Sequence, residues 1–266
     1  MRTLKKIPAT VVTGFLGSGK TTLLRHILNN AQGRRIAVIV NEFGELGIDG
    51  DLLRQCGLGC DDSGDDGIYE MANGCLCCTV QEEFFPVMKQ LVARRHEIDH
   101  ILIETSGLAL PKPLVQAFNW PEIKSACTVD AVITVVDGPA VVAGRFAANP
   151  QAVDAQRQAD PNLDHDSTLH ELFEDQLSAA DLVILSKTDL LGDDGYSKVE
   201  KIIQSGTDDA VKIVNASFGV VPLGVLLGQE CAAEESVHLR DSHHHHHEDD
   251  DDHHHDVFQS LVIDLP

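Results

Sequence analysis

The amino-acid sequence predicts an α/β fold with a doubly wound, mostly parallel sheet. Short apolar runs alternate along the 266 residues with segments of helical periodicity. The runs are as long as buried strands, and their continuous apolar character is typical of parallel sheets. A glycine-rich loop separates the first run from the first helical segment. Alternation of this kind favours right-handed crossovers, with helices on both faces of one sheet.

The elements follow in chain order. The predicted strands are Ala9–Thr13, Ile36–Val40, His100–Glu104, Ala131–Val136, Leu182–Ser186 and Val211–Asn215. The predicted helices are Thr21–Asn30, Glu82–Arg95, His170–Ala179 and Lys198–Gln204. The helices are expected wherever apolar residues recur at i, i+3 and i+4 spacing, which gives one apolar face against the sheet.

Two segments interrupt this alternation. Residues 56–79 are rich in Gly, Asp and Cys, which predicts a long functional loop. Residues 234–256 are a low-complexity run of His and acidic residues, which predicts disorder. Val257–Ile263 again has the pattern of a strand, and because a single strand cannot fold alone, it is expected either to join the main sheet or to begin a further domain. We therefore expect three parts: a phosphate-loop domain at 1–232, a His/Asp-rich linker at 233–256, and the first strand of a truncated C-terminal domain at 257–266.

Composition narrows the possible partners. The formal net charge is −22 and the chain is 43% hydrophobic. An acidic surface repels phosphate backbones, so we expect cations rather than nucleic acid as partners. No apolar run is long enough to span a membrane, and Met1–Lys6 is not followed by the apolar centre of a signal peptide. We therefore expect no membrane partner and a cytoplasmic location, where the seven cysteines are reduced.

The glycine-rich loop carries the most specific motif. Gly14–Thr21 matches G-x-x-x-x-G-K-[ST] between a predicted strand and a predicted helix. Its glycines allow backbone N–H groups to wrap a phosphate at a helix N-terminus. Lys20 is expected to reach the β- and γ-phosphates, and the Thr21 hydroxyl to ligate Mg²⁺. The motif predicts a nucleoside triphosphate site.

A second motif indicates which base the site takes. Ser186–Asp189 follows a predicted strand and is similar to the N-K-x-D motif of GTPases, with Ser in place of Asn. The Asp189 carboxylate is suited to accept hydrogen bonds from N1–H and the 2-amino group of guanine, a pair that adenine does not offer. We expect Lys187 to lie along the base and help hold the phosphate loop, and Asn215 to add a weaker base contact. The alternative is a strand-end turn with a helix cap.

Glu104–Gly107 follows another predicted strand. We expect the Glu104 carboxylate near Mg²⁺, acting in catalysis together with Lys20 and Thr21, and the Gly107 N–H near the γ-phosphate. The alternative is a simple strand terminus and turn. Asp137, at the end of the next strand, is expected to lie in a turn rather than to be a metal ligand.

Cys75, Cys77 and Cys78 form a dense thiol cluster. Reduced thiolates suit Zn(II), Co(II), Ni(II) or Cu(I), and we expect two or three of them plus another ligand. Small buried side chains are the alternative, and one that fits lone cysteines better. Glu42 is a candidate to contact Mg²⁺ and Glu45 to join the cysteines, although both fit solvated loop carboxylates equally well.

Five motifs, in this order and spacing, resemble the CobW group of GTPase metallochaperones over about residues 7–230: GFLGSGKTT, NEFGE, GCLCC, ETSG and SKTD. Three departures are Ser186 in place of Asn, Val40 where some relatives have a carboxylate, and a second, C-terminal domain of which only the expected first strand, Val257–Ile263, is present. The resemblance implies Mg²⁺ at Thr21, guanine contacts from Lys187 and Asp189, and a transition metal at the cysteines. It implies GTP contacts from the loop residues Gly14, Gly17, Ser18, Gly19, Lys20, Thr21 and Thr22.

The expected function is nucleotide-dependent delivery of a transition metal. GTP and Mg²⁺ order the loops that carry the metal ligands, and hydrolysis releases the ion to a client metalloprotein or a cobaltochelatase. The resemblance implies Co(II) for cobalamin synthesis as the favoured metal, with Zn(II) or Ni(II) as alternatives. A metal-buffering protein with a regulatory nucleotide site and a small-molecule kinase are the competing hypotheses. The histidine tract His243–His247 is expected to buffer metal, or else to be a solvated linker.

Overall fold

The computed structural model describes residues 5–41, 68–71, 84–147, 149–159 and 168–240. The predicted metal ligands Cys75, Cys77, Cys78, Glu42 and Glu45 lie outside these residues, as do the histidine tract and the strand predicted at Val257–Ile263. None of the helices within the described ranges is long and apolar enough to cross a membrane.

Seven parallel strands form one sheet in the order β3-β2-β4-β1-β5-β6-β7. The strands are β1 Ile7–Thr13, β2 Ile36–Asn41, β3 Ile68–Met71, β4 His100–Glu104, β5 Cys127–Asp137, β6 Leu182–Ser186 and β7 Lys212–Ala216. Strands β4 and β6, which are paired on both sides, are buried at every residue, as their apolar centres 101–103 and 182–185 predict. The predicted α/β class with a doubly wound parallel sheet is thus confirmed.

Helices cover both faces of the sheet. They are α1 Lys20–Asn29, α2 Phe85–Ala93, α3 Pro111–Ala117, α4 Pro121–Lys124, α5 Gly138–Val142, α6 Pro150–Ala159, α7 Leu169–Ser178, α8 Asp193–Gly206, α9 Leu223–Leu226 and α10 Ala233–Ser236, with 3₁₀ turns at Thr188–Leu190 and Val237–Leu239. On one face Leu24 and Ile27 of α1 pack in the same apolar cluster as Val38 and Ile133 of the sheet. On the other, Met88 of α2 packs in a separate cluster.

The strand order favours a crevice at the side of the sheet where the carboxyl ends of the strands lie. The chain leaves β1 toward β2 on one side, and leaves the neighbouring β5 toward β6 on the other. Ligands of open α/β sheets bind at such a reversal, outside the carboxyl ends of the strands. The phosphate loop after β1 and the Ser186–Asp189 motif after β6 therefore meet at this edge.

The structure corrects the loop predicted at residues 56–79. Ile68–Met71 form β3, which pairs in parallel with β2 from Val38 to Asn41. This strand is short, lies at the edge of the sheet and is surrounded in sequence by glycines and aspartates. Pairing with β2, rather than its own composition, makes this segment a strand, so its hydrophobic pattern did not predict it.

Residues 233–240, all of which lie in the predicted linker, pack on the sheet. Glu234 is buried, and its carboxylate accepts hydrogen bonds from Thr128 Oγ1 at 2.7 Å and Val129 N at 2.8 Å. Arg240 pairs with Asp181 at 2.5 Å. Because Glu234 binds the backbone of β5 and Arg240 pairs with Asp181, the folded unit extends at least to Arg240.

Candidate functional site

The phosphate loop is held against the sheet by close backbone contact. Gly14 has φ +135°, and a Cβ at this position would lie 2.2 Å from the carbonyl oxygen of Val135 in β5. Any side chain there would push the loop off the strand, which explains the first glycine of the motif. Gly19 then leads directly into α1 in a left-handed conformation. The sequence motif thus builds a tight loop between β1 and α1.

Lys20 is buried and folded back onto its own loop. Its Nζ donates hydrogen bonds to the carbonyl oxygens of Gly14 at 2.7 Å and Phe15 at 3.1 Å. Burial lowers the pKa of Lys20, and the nearby Glu104 carboxylate acts in the opposite direction. The ammonium group therefore lies in the loop itself, with carbonyl oxygens as its hydrogen-bond acceptors.

Thr21 and Glu104 meet beside the loop. The Thr21 hydroxyl donates to Glu104 Oε1 at 3.2 Å, and Glu104, at the carboxyl end of β4, is only 6% exposed. A hydroxyl and a carboxylate oxygen at this separation are the hard donors that Mg²⁺ takes, usually alongside water and phosphate oxygens. The residues present therefore fit a magnesium ion.

The loop after β4 packs directly on the phosphate loop. A Cβ on Gly107 would lie 2.7 Å from the backbone nitrogen of Leu16, so only glycine allows this approach. Gln176 of α7 is fully buried, and its Nε2 donates to the carbonyl oxygens of Gly107 at 3.2 Å and Ala109 at 3.3 Å. Sequence reasoning missed Gln176. A polar side chain among the apolar residues of its helix was the available signal.

Lys187 joins two loops, as the sequence predicted for its contact with the phosphate loop. Its Nζ donates to the carbonyl oxygen of Gly17 at 2.9 Å and pairs with Asp137 Oδ2 at 2.5 Å. Asp137 is buried and also accepts a hydrogen bond from Ala140 N, at 3.1 Å, as the N-cap of α5. The residue expected only in a turn is therefore a helix cap and the charge partner of Lys187.

A cavity of about 230 Å³ lies between these loops. Ser186, Lys187 and Asp189 line it, and Ser186 Oγ donates to the carbonyl oxygen of Ser18 at 2.6 Å. The remaining lining residues come from the phosphate loop, α1, the sheet and the segment after β7: Ser18, Gly19, Thr22, Leu23, Val135, Ile184, Leu190, Ala216, Phe218 and Gly219. The cavity thus joins the phosphate loop to the predicted base-reading motif.

Asn215, which was predicted to add a base contact, is the penultimate residue of β7. Its side chain is not among those lining the cavity, and its Nδ2 donates instead to Tyr196 Oη of α8 at 3.3 Å. Successive residues of a strand point to opposite faces, so the neighbouring Ala216 faces the cavity while Asn215 faces away. Sequence reasoning missed Phe218, which follows β7 and lines the cavity in its place.

Among the described residues there is no group of three or more His, Cys, Asp or Glu side chains arranged to hold a metal ion. Cys127 is buried at the start of β5, and burial raises the pKa of its thiol to about 12. Cys127 packs in the apolar cluster on one face of the sheet, as a small buried side chain does. Val40, where some relatives carry a carboxylate, is buried in the apolar core.

Comparison with known proteins identifies the family. Residues 8–214 match the CobW/HypB/UreG nucleotide-binding domain. The chain is 67% identical over 244 residues to the zinc chaperone CobW of Pseudomonas aeruginosa, covering 91% of this chain and 65% of that protein. It is 52% identical over 261 residues to the zinc chaperone CobW of a Sinorhizobium species, covering 98% of this chain and 73% of that protein.

A solved structure agrees with these matches. The Zn(II)-bound YjiA GTPase from E. coli superposes with a TM-score of 0.53 at 26% identity, covering 85% of this chain and 62% of that chain. The chain spans 65% and 73% of the length of the two CobW relatives and 62% of the YjiA chain. The five motifs, the parallel sheet and these matches agree, and the chain belongs to the CobW/HypB/UreG family of nucleotide-binding domains.

Proposed function

We propose that this chain is a GTP-hydrolysing metallochaperone that binds a transition-metal ion and transfers it to a client protein. One observation carries the nucleotide half of the proposal: a single cavity joins the phosphate loop to Asp189. The metal half rests on the cysteine motif and on relatives that are named zinc chaperones.

Lys20 supports triphosphate binding. Its ammonium group donates hydrogen bonds to the carbonyl oxygens of Gly14 and Phe15 in the loop, at 2.7 and 3.1 Å, although it is buried. Phosphate oxygens are stronger acceptors for a cation than neutral carbonyls, because charge-assisted hydrogen bonds are about twice as strong. A triphosphate entering the loop therefore gains Lys20, together with the N–H groups at the start of α1.

Hydrolysis follows from positioning rather than from covalent chemistry by the protein. Thr21 and Glu104 are the residues that would hold Mg²⁺, which when bound neutralises charge on the β- and γ-phosphates. Lys20 stabilises the charge that develops on the transferred phosphoryl group, and the Gly107 N–H lies in the loop packed against the phosphate loop. Loss of the γ-phosphate removes these contacts and allows the loop after β4 to relax.

Guanine selection is proposed to rest on Asp189. The departure at Ser186 does not remove the anchor between motif and phosphate loop, because the Ser186 hydroxyl bonds to the Ser18 carbonyl oxygen. Lys187 makes a second anchor through Gly17. These two contacts hold the base-reading motif against the loop and leave the Asp189 carboxylate on the cavity wall.

Cys75, Cys77 and Cys78, with Glu42 or Glu45 as a further ligand, are the proposed metal site. The names of the relatives favour Zn(II) as the cargo, and thiolate donors also take Zn(II) over Co(II) when both ions are free. Co(II) delivery to the cobalamin pathway, through a client metalloprotein or cobaltochelatase, stays a proposal in which cellular supply of the ion decides the cargo.

Titration tests the coupling. Zn(II) and Co(II) are titrated into protein holding a non-hydrolysable GTP analogue, GDP or no nucleotide, and we expect the tightest metal binding in the GTP-analogue state. Linkage requires the metal to tighten binding of the analogue by the same factor. Replacement of Cys75, Cys77 and Cys78 by Ser should abolish the difference, whereas Cys231→Ser, at an exposed thiol of the described domain, should preserve it. Equal metal affinities in all three states would overturn the proposal.

A further inference from the structure

A strained turn presents an aromatic ring at the mouth of the cavity. Ser217 and Val220 form an antiparallel bridge, with Val220 N donating to the Ser217 carbonyl oxygen at 3.1 Å. Between them Phe218 has φ +56° and Gly219 has φ +72°. Positive φ at both central residues defines a type I′ turn, whose first central position normally holds Asn, Asp or Gly. A bulky phenylalanine there is an outlier.

The Phe218 ring contributes little to the packing of the fold. Phe218 is 80% exposed, so it contributes little apolar burial that would offset the backbone strain. Strain that persists without a packing benefit is characteristic of ligand-binding positions. Phe218 also lines the same cavity as Asp189 and the exposed Leu190. The ring therefore borders the cavity that Asp189 also lines.

The turn is anchored on both sides of the cavity. A Cβ on Gly219 would lie 2.9 Å from Thr22 Cγ2, so the turn packs closely on the start of α1. His26 Nε2 is 2.8 Å from the Val221 carbonyl oxygen, which joins the turn to the next part of α1. On the other side Thr188 Oγ1 lies 3.1 Å from Ser217 Oγ. These contacts connect the turn to both nucleotide motifs and restrict its movement.

We propose that Phe218 is a stacking platform for the nucleotide base, an inference that rests on the proposed GTP site. Asp189 reads the edge of guanine, whereas a phenyl ring contacts its face. Because every base has a π-face, stacking adds affinity without selecting the base. The two residues would thus divide the work: Phe218 supplies affinity and Asp189 supplies specificity.

Equilibrium binding to full-length protein tests this division, with GTP, ITP and tripolyphosphate as probes. We expect Phe218→Ala to weaken GTP and ITP by the same factor, about 5- to 150-fold, which is the range measured for loss of base–aromatic stacking. Tripolyphosphate has no base, so its affinity should not change. Phe218→Trp should retain nucleotide binding. Val220→Ala is the matched control, since Val220 is 60% exposed in the same turn but does not line the cavity.

Phe218→Asn separates stacking from folding. Asn is favoured in the left-handed region, so this variant should melt at the same temperature as the parent or higher, yet bind GTP as weakly as Phe218→Ala. Unchanged GTP affinity in both variants would overturn the stacking role while the GTP site stands, and would leave the exposed ring to a protein partner. An equal loss for tripolyphosphate would also overturn it. If the parent binds no GTP, the proposed function fails as well.

Discussion

Replacement of Gly107 by alanine probes the contact between the loop after β4 and the phosphate loop. The added Cβ would lie 2.7 Å from Leu16 N and 3.3 Å from Leu16 Cα, whereas ordinary van der Waals contact begins at 3.4 Å. One of the two loops must therefore move by about 0.7 Å. Both partners are backbone, so no flexible side chain can absorb the change.

The displacement sets the expected size of the effect. Overpacking of this kind costs about 1–3 kcal/mol of folding free energy. Misplacement of a catalytic group by about 1 Å costs roughly 100-fold in rate, so we expect GTP turnover to fall about 10- to 100-fold. The loss should appear mainly in kcat, because Lys20 and the start of α1 can still bind the phosphates.

Steady-state GTP hydrolysis and thermal unfolding are the assays. Gly224→Ala is the matched control, since a Cβ there meets nothing within 4 Å and the residue is not at positive φ. The control should keep the parent turnover and gain slightly in stability through the reduced entropy of the unfolded chain. Gly107→Ala protein that turns over GTP at the parent rate would refute the inference that this loop must approach the phosphate loop closely.

Three further predictions concern named side chains. Asp189→Asn should weaken GTP binding at least about 10-fold and favour XTP, whose C2 carbonyl accepts a hydrogen bond from the new amide. Competition binding between GTP and XTP measures this preference, and an unchanged preference would show that the carboxylate does not contact the base. Glu234→Ala should cost about 1–3 kcal/mol in denaturant unfolding by leaving Val129 N unpaired, whereas exposed Glu235→Ala should cost little. Burial lowers the pKa of His100 to about 4, so its contribution to stability, complete above about pH 6.5, should fall as pH drops toward 4. The variant His100→Gln should flatten that part of the curve of stability against pH. An unchanged curve would contradict the shift.

The sign of the His100 prediction follows from proton uptake. The folded state holds His100 neutral, with Nε2 2.8 Å from Thr10 Oγ1 and Asp130 as an opposing charge that partly restores its pKa. Between pH 6.5 and 4 the unfolded chain binds the proton and the folded chain does not. The free energy of unfolding therefore decreases as pH falls through this range.

Features that depend on local physics were predictable from the amino-acid sequence. The strands β4 and β6 were located to the residue, because parallel strands covered on both faces have continuous apolar centres, here 101–103 and 182–185. The phosphate loop and its place between β1 and α1 were predictable because the motif encodes its own backbone geometry. Helix ends were predicted less accurately. Helix α8 begins at Asp193 rather than at the predicted Lys198, since acidic residues favour a helix N-terminus without adding to the apolar period.

Features that depend on a distant partner were decided only by the tertiary structure. β3 exists because β2 lies beside it, and Asn215 turns away from the cavity because of the phase of β7 on its neighbour β6. Asp137 is placed by its ion pair with Lys187, which is distant in sequence. Phe218 is placed by a turn with positive φ, which the hydrophobic periodicity of the sequence does not predict. Composition and motif identify which chemistry the chain carries, but which side chains share one cavity depends on strand order and packing, which no local pattern encodes.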